Sequence, residues 1–216
     1  EEEALRLVSE REVLMGKASE SSNSKMLALL KMTEDEVREI VEGNPEFKGK
    51  LYIANINSSR QIIVSGEGDA IDELKAYLKS KGKLAKPLVV SGAFHTPFME
   101  PAREAFVKTL KNTSFDEPSV TYYPNVTGEK YEGATMSEVL SEQIVSPVLL
   151  YKTFKGMVDD GVTHFLEIGP GGVLSTILQR EFEDIEVKVI KNDDDLIELL
   201  EATESSESTK IGRAHV

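Results

Sequence analysis

Apolar and polar residues alternate in short blocks along this chain, and these blocks predict helices and strands in turn. Residues 1–18 follow helical spacing and predict a helix. Four apolar runs then predict strands, at residues 26–30, 51–57, 61–65 and 84–90. A capping box of Thr33 and Glu36 opens a helix after the first strand, and a second helix ends at Gly82. The order strand–helix–strand–strand–helix–strand is that of a ferredoxin-like motif.

Beyond Phe98, helical and strand patterns alternate to the end of the chain. The pattern predicts helices at 98–111, 137–143, 149–158, 173–182 and 196–202, and strands at 120–126, 163–168 and 186–190. Such alternation predicts a parallel α/β layer. The sequence therefore predicts an α/β protein, with a large α/β domain at residues 1–23 and 93–203 and an inserted, complete ferredoxin-like (βαββαβ) subdomain at residues 24–92.

Both ends of the chain lead us to expect a piece of a longer protein. The sequence starts in mid-helix without Met, so we expect a segment upstream of it. Residues 204–216 begin acidic and Ser-rich and predict a disordered tail, and residues 211–216 resemble translated sequencing adapter. His215, within that stretch, is therefore given no functional role.

Composition narrows the classes of function. The absence of Cys excludes disulfides, thiolate zinc sites and a cysteine nucleophile. A net charge of −13 argues against nucleic acid or an anionic membrane as a partner. No apolar run approaches the roughly 18 residues that span a bilayer. We predict a cytoplasmic protein that holds neither a cofactor nor a metal.

Lysines crowd one short stretch of this acidic chain, at Lys79, Lys81, Lys83 and Lys86. One interpretation is a solvated helix end whose cations complement the helix dipole. The other is a local docking site for a phosphate or an acidic partner protein, with Lys81 and Lys83 as the candidate contacts.

His95 is the main candidate for a catalytic residue. An apolar strand pattern leads up to it, and Thr96 and Pro97 follow, which suit the first positions of a helix. An imidazole held between a strand and a helix is well placed to act as a general base. The alternative is a histidine that only packs at the end of a strand.

Five segments occur in the order typical of one enzyme family, at residues 4–11, 55–61, 92–95, 143–148 and 167–171. Together they resemble the acyltransferases that load malonyl groups from coenzyme A onto acyl carrier protein, over about residues 1–200. The resemblance implies an α/β-hydrolase-like large domain, of which this chain holds a part. It also implies a function in fatty acid biosynthesis, the transfer of malonyl from malonyl-CoA through a Ser ester to the phosphopantetheine thiol of acyl carrier protein.

The resemblance carries the catalytic roles of the family onto matching positions. His95 takes the proton of the nucleophilic Ser, the backbone carbonyl of Gln143 orients the imidazole, and Arg11 binds the malonyl carboxylate. The family places its Ser in a Gly-x-Ser-x-Gly turn. Because these 216 residues contain no such pattern, the resemblance implies that the fragment by itself is inactive.

The family resemblance also implies further residues near the active site. Asn55 and Asn57 precede the hairpin turn that the family brings close to the site, although both also suit plain turn amides. Phe94 resembles the malonyl-selective members, since a bulky ring leaves less room for an α-methyl group. The Gly-rich residues 169–172 either cradle a phosphate or simply connect a strand to a helix.

Two alternative functions stay open from the sequence. One is the acyltransferase domain of a polyketide synthase. The other is a non-catalytic ferredoxin-like binding module. His95 beside Thr96 and Pro97, together with Arg11, favours an enzyme, because a binding module needs neither feature.

Overall fold

The computed structural model describes residues 2–20, 23–90, 92–133 and 135–211. The chain divides into two compact units, Glu1–Met157 and Val158–Val216. The first unit begins with helix α1 (Glu2–Glu20) and ends within helix α6 (Leu150–Asp159). Between them lie, in chain order, β1 (Ser24–Leu30), α2 (Glu34–Gly43), β2 (Leu51–Ser58), β3 (Gln61–Glu67), α3 (Gly68–Ser80), β4 (Leu84–Pro87), a 3₁₀ helix (Pro97–Met99), α4 (Glu100–Leu110) and α5 (Met136–Val145).

Strands β1 to β4 form one antiparallel sheet in the order β2–β3–β1–β4. Alternate residues of a strand point to opposite faces of its sheet. Leu27 and Leu29 of β1 accordingly join the core that α2 and α3 cover, whereas Met26 and Ala28 belong to a second apolar cluster. Phe94 packs against that second cluster. The sheet therefore supports the chain segment that carries His95.

Helix α2 begins where the sequence predicts. The Glu36 carboxylate accepts the backbone N–H of Thr33 at 2.8 Å, and the Thr33 hydroxyl oxygen accepts the backbone N–H of Glu36 at 3.3 Å. These reciprocal bonds satisfy two donors that the first turn of a helix otherwise leaves free. Helix α3 also ends as predicted, since Gly82 follows it with a φ of 66°.

Strand β4 is shorter than predicted and ends at Pro87 instead of residue 90. Pro87 has no N–H to continue the ladder, and the Leu88 N–H makes the last bond, to the Met26 carbonyl at 3.1 Å. Val89 and Val90 beyond it are exposed. The chain therefore leaves the sheet before His95, which lies in a connecting segment and not at the end of a strand.

Residues 120–126 form a turn-rich connection, and the predicted strand there is wrong. Pro124 cannot donate to a sheet, and its carbonyl accepts the N–H groups of Thr127 and Gly128 at 3.2 and 2.9 Å. The Asn125 carbonyl accepts the Leu149 N–H at 2.8 Å. The segment is thus held next to the start of α6.

Helices α1, α4 and α5 pack around a core of their own, formed by Leu7, Met15, Ala18, Met99, Ala102, Phe106, Leu110 and Ile144. Helix α5 ends at Val145, because the residue that precedes Pro147 is kept out of the helical conformation. This layer fixes the middle of α1 and the end of α5, where Arg11 and Gln143 lie.

The second unit contains β5 (His164–Ile168), α7 (Val173–Glu181), β6 (Glu186–Ile190) and α8 (Asp193–Ile211). Strands β5 and β6 pair in parallel, as the alternation of helices and strands predicts. Residues 204–211, predicted to be part of a disordered tail, continue α8 as a helix. No Gly or Pro interrupts 193–211, which permits the longer helix. Residues 212–216, and with them most of the adapter-like stretch, lie outside the described residues.

The fold is α/β, with one antiparallel and one parallel sheet. Among the helices that the structure describes, none has both the length and the apolar character needed to cross a membrane.

Candidate active site

His95 lies in a turn that leads directly into a helix. Thr96 caps this helix: its Oγ1 accepts the Phe98 N–H at 3.3 Å and donates to the Ala93 carbonyl at 2.6 Å. Pro97 occupies the first helical position, as the sequence predicts. His95 itself has a φ of 60°, in the left-handed region that residues other than Gly seldom adopt. Backbone strain of this kind is concentrated at functional sites.

One hydrogen bond fixes the half-buried imidazole of His95. Its Nδ1 lies 2.9 Å from the backbone carbonyl oxygen of Gln143. Because a carbonyl oxygen only accepts, Nδ1 carries the proton of the neutral ring and Nε2 keeps its lone pair. The ring can therefore accept a proton at Nε2 while Gln143 holds it in place.

The surroundings of His95 favour its neutral form. Burial lowers the pKa of the imidazole from its ordinary 6.5, the bond to Gln143 opposes this by raising it, and the Arg11 cation lowers it further. The net direction is downward. The ring is thus neutral at pH 7, which is the form that a general base requires.

Arg11 projects from α1 with a buried donor that nothing satisfies. Within the part of the chain that the structure describes, its Nε has no hydrogen-bond partner. Burial lowers the pKa of the Arg11 guanidinium from its ordinary value. A buried donor without an acceptor costs about 1–3 kcal/mol, so this position favours an anionic ligand that supplies the acceptor.

Arg11 and His95 line one small cavity of about 50 Å³, referred to below as the acyl cavity. Its other lining residues are Asn125, Val126, Gln143, Ser146, Pro147 and Val148. A guanidinium and a neutral imidazole on one cavity suit a carboxylate that lies close to a reacting carbonyl. The structure therefore brings together the three residues to which the family resemblance assigns catalysis and carboxylate binding.

A larger groove of about 680 Å³ adjoins the acyl cavity. The two share His95, Ser146 and Pro147. Lys48 and Arg38 line the groove, Arg38 as the partner of Glu34 and Glu42. The remaining lining residues are Val41, Glu42, Gly49, Leu51, Tyr52, Ile53, Pro97 and Val145. His95 thus stands where a narrow cavity meets a wider, partly apolar groove.

Comparison with known families accounts for nearly the whole chain. The family model described as an acyl transferase domain matches residues 1–211. The chain belongs to the acyl transferase domain family.

Named relatives of this acyl transferase domain match most of its length. The malonyl CoA-acyl carrier protein transacylase of Staphylococcus aureus (strain MRSA252) is 34% identical over 200 residues, which cover 90% of this chain and 64% of the relative. The crystal structure of malonyl CoA-acyl carrier protein transacylase from Clostridium perfringens has a TM-score of 0.87 at 31% identity, covering 95% of this chain and 65% of that one. A type II PKS acyl-carrier protein in complex with its malonyl-transacylase gives a TM-score of 0.84 at 27% identity, covering 93% and 65%. The acyl transferase domain described here therefore spans slightly less than two thirds of these relatives.

Three of the predicted substrate contacts do not reach the acyl cavity. The ring of Phe94 packs against apolar clusters on both of its sides and is not among the residues that line the cavity. Asn55 and Asn57 lie on β2, also away from its lining. Asn55 is connected to the site indirectly, because it forms an isolated bridge to Val148, which does line the cavity.

Lys81 and Lys83 lie away from the acyl cavity, around a different groove. Lys83 lines that groove, of about 520 Å³, and its Nζ is 2.9 Å from a carboxylate oxygen of Glu36. The Nζ of Lys81 lies 5.7 Å from the ring centroid of Tyr77, which lines the same groove. Both ammonium groups are at the surface of the acyl transferase domain, where an acidic partner can reach them.

The sequence did not single out Asn125, Val126 and Val148, which line the acyl cavity. Asn125 and Val126 fall within the strand that the pattern wrongly predicts at 120–126, so nothing indicated that they belong to a site. Pro124 and Gly128 could have indicated a turn there, since Pro and Gly are typical turn residues. Val148 lies in the segment 143–148 that carries the family resemblance, but its contact with the cavity depends on the bridge to β2, which the local sequence does not reveal.

The Gly-rich turn at 169–172 has an internal partner. The Glu167 carboxylate accepts the N–H groups of Ser175 at 2.8 Å, Gly172 at 3.1 Å and Leu174 at 3.3 Å. These bonds, first of all the one from Ser175, lower the pKa of Glu167. The start of α7 is occupied by the protein's own carboxylate, which favours a strand-to-helix connection over a phosphate site.

Proposed function

We propose that this acyl transferase domain takes part in the transfer of a malonyl group from malonyl-CoA to the phosphopantetheine thiol of acyl carrier protein. The observation that carries the proposal is the buried, unsatisfied Nε of Arg11 on the same small cavity as the neutral His95. The names of the transacylase relatives support the same substrates. The role in fatty acid biosynthesis is a prediction from the family resemblance.

The proposed reaction proceeds through a Ser ester in two steps. Nε2 of His95 takes the Ser proton as the Ser oxygen attacks the malonyl thioester carbonyl, and the coenzyme A thiolate leaves with that proton. His95 then takes the proton of the carrier thiol, whose sulfur attacks the ester, and returns it to the Ser oxygen. The Nδ1 bond to Gln143 keeps the ring oriented in both steps.

The nucleophilic Ser is not assigned within these 216 residues, because they contain no Gly-x-Ser-x-Gly pattern. We therefore expect no ester to form on the 216 residues alone. The residues present supply the base, the carbonyl that orients it and the guanidinium that binds the carboxylate. The groove of about 680 Å³ next to His95 has a partly apolar lining, which suits the arm that bears the thiol.

The proposal extends to the organisation of the fold. We assign residues 24–92 to a ferredoxin-like subdomain, in agreement with the strand order β2–β3–β1–β4. Residues 1–23 and 93–203 then belong to an α/β-hydrolase-like domain, which the parallel pair of β5 and β6 supports. A cytoplasmic location remains a prediction from the composition.

Acyl carrier protein is the proposed partner, with Lys81 and Lys83 as contacts. One relative is a malonyl-transacylase in complex with its carrier, which supports an interaction of this kind. The carrier in that complex belongs to a type II PKS, so likeness of fold alone does not separate the fatty acid assignment from a polyketide one. A non-catalytic module is disfavoured, because it gives no reason for a half-buried Arg11 on the same cavity as His95.

Malonyl-CoA and acetyl-CoA form a matched pair that tests the proposal, since they differ by one carboxylate. We expect calorimetry on the 216-residue chain to show tighter binding of malonyl-CoA by about 10–100-fold, the range of a hydrogen bond to a charged group. Arg11→Gln should remove this preference. Arg6→Gln is the control, because Arg6 lies on the same helix but is exposed and paired with Glu3 and Glu10. Equal affinities in the unaltered chain would contradict the proposed function.

A further inference from the structure

The carbonyl oxygen that orients His95 belongs to the last turn of α5. Within an α-helix, each carbonyl accepts the N–H of the residue four positions later. The Glu142 carbonyl follows this rule and accepts the Ser146 N–H at 3.0 Å. The next carbonyl, that of Gln143, would take its bond from position 147, which is Pro147. Because proline has no N–H, the Gln143 carbonyl has no donor within its own helix.

The imidazole supplies the donor that the helix does not. Nδ1 of His95 lies 2.9 Å from the Gln143 oxygen. The last carbonyls of a helix need partners from outside the helix, and a carbonyl left unpaired away from water costs free energy. The half-buried ring and the half-buried end of α5 therefore satisfy each other's hydrogen-bonding groups.

Pro147 also sets the direction in which the chain leaves α5. It keeps Ser146 out of the helical region, and Ser146 has a φ of −109° and a ψ of 152°, which is extended backbone. The next residue then bonds to the edge of β2. The Val148 N–H donates to the Ala54 carbonyl, and the Val148 carbonyl accepts the Ile56 N–H, each at 2.9 Å. The chain thus turns away before any further N–H can reach the last turn of α5.

We infer that Pro147 is a positioning residue, which reserves the Gln143 carbonyl for the imidazole of His95 by withholding an N–H. This inference rests on the proposed function, because it concerns the base of the proposed transfer. An N–H at position 147 would compete with Nδ1 for the same oxygen once Ser146 becomes helical. A neutral ring released from the carbonyl can carry its proton on Nε2 instead, and in that tautomer Nε2 cannot accept the proton of the nucleophilic Ser.

The tautomer of His95 is measured from the nitrogen chemical shifts of its ring, by NMR on the 216-residue chain at a pH above the pKa of the imidazole. We expect the unaltered chain to hold the proton on Nδ1. Pro147→Ala should lower the ratio of the Nδ1–H form to the Nε2–H form by about two- to tenfold, the range of one backbone hydrogen bond. The pKa of His95 should fall as well, because the bond to Gln143 raises it.

Pro101→Ala is the matched control. Pro101 lies in the first turn of α4, where an N–H has no acceptor within the helix. It is not among the residues that line the acyl cavity or the neighbouring groove. This variant also replaces a proline ring by a methyl group, but it adds no competitor for the Gln143 oxygen. The tautomer ratio and the pKa of His95 should therefore stay unchanged.

Substitutions at Ser146 separate competition for the carbonyl from loss of the proline ring. An N–H at position 147 reaches the Gln143 oxygen only when residue 146 is helical, and Ala favours that conformation over Gly. Added to Pro147→Ala, Ser146→Ala should therefore lower the tautomer ratio about fivefold further than Ser146→Gly does. If loss of the ring were the cause, the residue at 146 would make no difference. Pro147→Gly supplies the same N–H and should also lower the ratio, which keeps the test decisive if Pro147→Ala folds poorly.

The outcomes separate this inference from the proposed function. If His95 carries its proton on Nε2 in the unaltered chain, both fail, since Nε2 could not then act as the base. If the proton lies on Nδ1 and the ratio is the same in Pro147→Ala, only the role of Pro147 fails. Hydrogen exchange of the new N–H at position 147 completes the test, because protection of that N–H without a change in the ratio would mean that the Gln143 oxygen serves both donors.

Discussion

The surroundings of the His95 imidazole shift its pKa in opposite directions. Burial and the Arg11 cation lower the pKa, while the Gln143 carbonyl raises it by stabilising the charged ring. A carboxylate bound to Arg11 would offset the guanidinium charge. The base that must accept the Ser proton would then become stronger when a malonyl group occupies the acyl cavity.

This coupling can be measured directly on the imidazole. We expect Arg11→Gln to raise the pKa of His95, because the variant removes a neighbouring positive charge. Malonate should raise the same pKa in the unaltered chain but not in Arg11→Gln. NMR titration of the His95 ring protons reports both changes. If the pKa of His95 changes neither in Arg11→Gln nor on addition of malonate, Arg11 and His95 are not coupled.

The same downward shift has a consequence for stability. Because the folded pKa lies below the ordinary 6.5, the unfolded chain binds a proton first as the pH falls. The contribution of His95 to stability is therefore fully present above pH 6.5 and is lost as the pH falls through the folded pKa.

At the scale of elements, the segment before His95 depends on a close approach to the end of α1. Gly92 has a φ of 144°, and a Cβ at this position would lie 2.4 Å from the Ser19 Oγ. Only Gly both adopts this backbone conformation and leaves room for α1. The glycine thus sets how closely the His95 segment can follow the helix that carries Arg11.

Gly92→Ala should therefore affect both stability and the site. We expect the free energy of unfolding to fall by roughly 2–4 kcal/mol, since strained backbone and overpacking each cost about 1–3 kcal/mol. The His95 ring resonances should shift as well. Gly82→Ala is the control, because Gly82 has a φ of 66° but no atom within 4 Å of its Cβ position. Denaturant unfolding should show a smaller loss there, about 1–2 kcal/mol, with His95 unmoved. If both variants lose the same free energy of unfolding and the His95 ring resonances shift in neither, the contact with Ser19 is unimportant.

Elements with local signals could be predicted from the sequence. The capping box of Thr33 and Glu36 and the Thr96–Pro97 helix start depend on residues a few positions apart, and both occur in the structure. The strand predicted at 120–126 failed because a strand needs a neighbour, which no local pattern reveals. Val126, which lines the acyl cavity, was missed for the same reason, since a tertiary hydrogen bond between Asn125 and Leu149 holds its segment there. The expectation that Arg11 lies near His95 likewise came from the family resemblance and not from the spacing of the two residues in the sequence.

At the scale of the whole molecule, the charge distribution bears on how an acidic carrier can bind a chain of net charge −13. Long-range repulsion between two acidic proteins is screened beyond about 8–10 Å at physiological salt. Local contacts with Lys81 and Lys83 then decide the interaction. The two lysines are not equivalent, because Lys83 is paired with Glu36. The Thr33 N–H and Lys83 together lower the pKa of Glu36 to about 2, so that carboxylate stays charged at neutral pH and offsets Lys83.

Lys81 should therefore contribute more to carrier binding than Lys83. Exposed ion pairs are worth about 0.2–1 kcal/mol, so we expect Lys81→Gln to weaken binding of acyl carrier protein a few-fold and Lys83→Gln to weaken it less.

The double charge reversal Lys81→Glu and Lys83→Glu should weaken binding of the carrier on the order of tenfold at low salt, with a smaller loss at high salt as screening grows. The double reversal Lys108→Glu and Lys111→Glu, at the end of α4, is the matched control, because it changes the net charge by the same amount. Affinities for the carrier and for coenzyme A, measured side by side by calorimetry, identify the ligand of the lysines. A loss confined to coenzyme A would assign them to its phosphates, and no loss for either ligand would leave them as a solvated helix end.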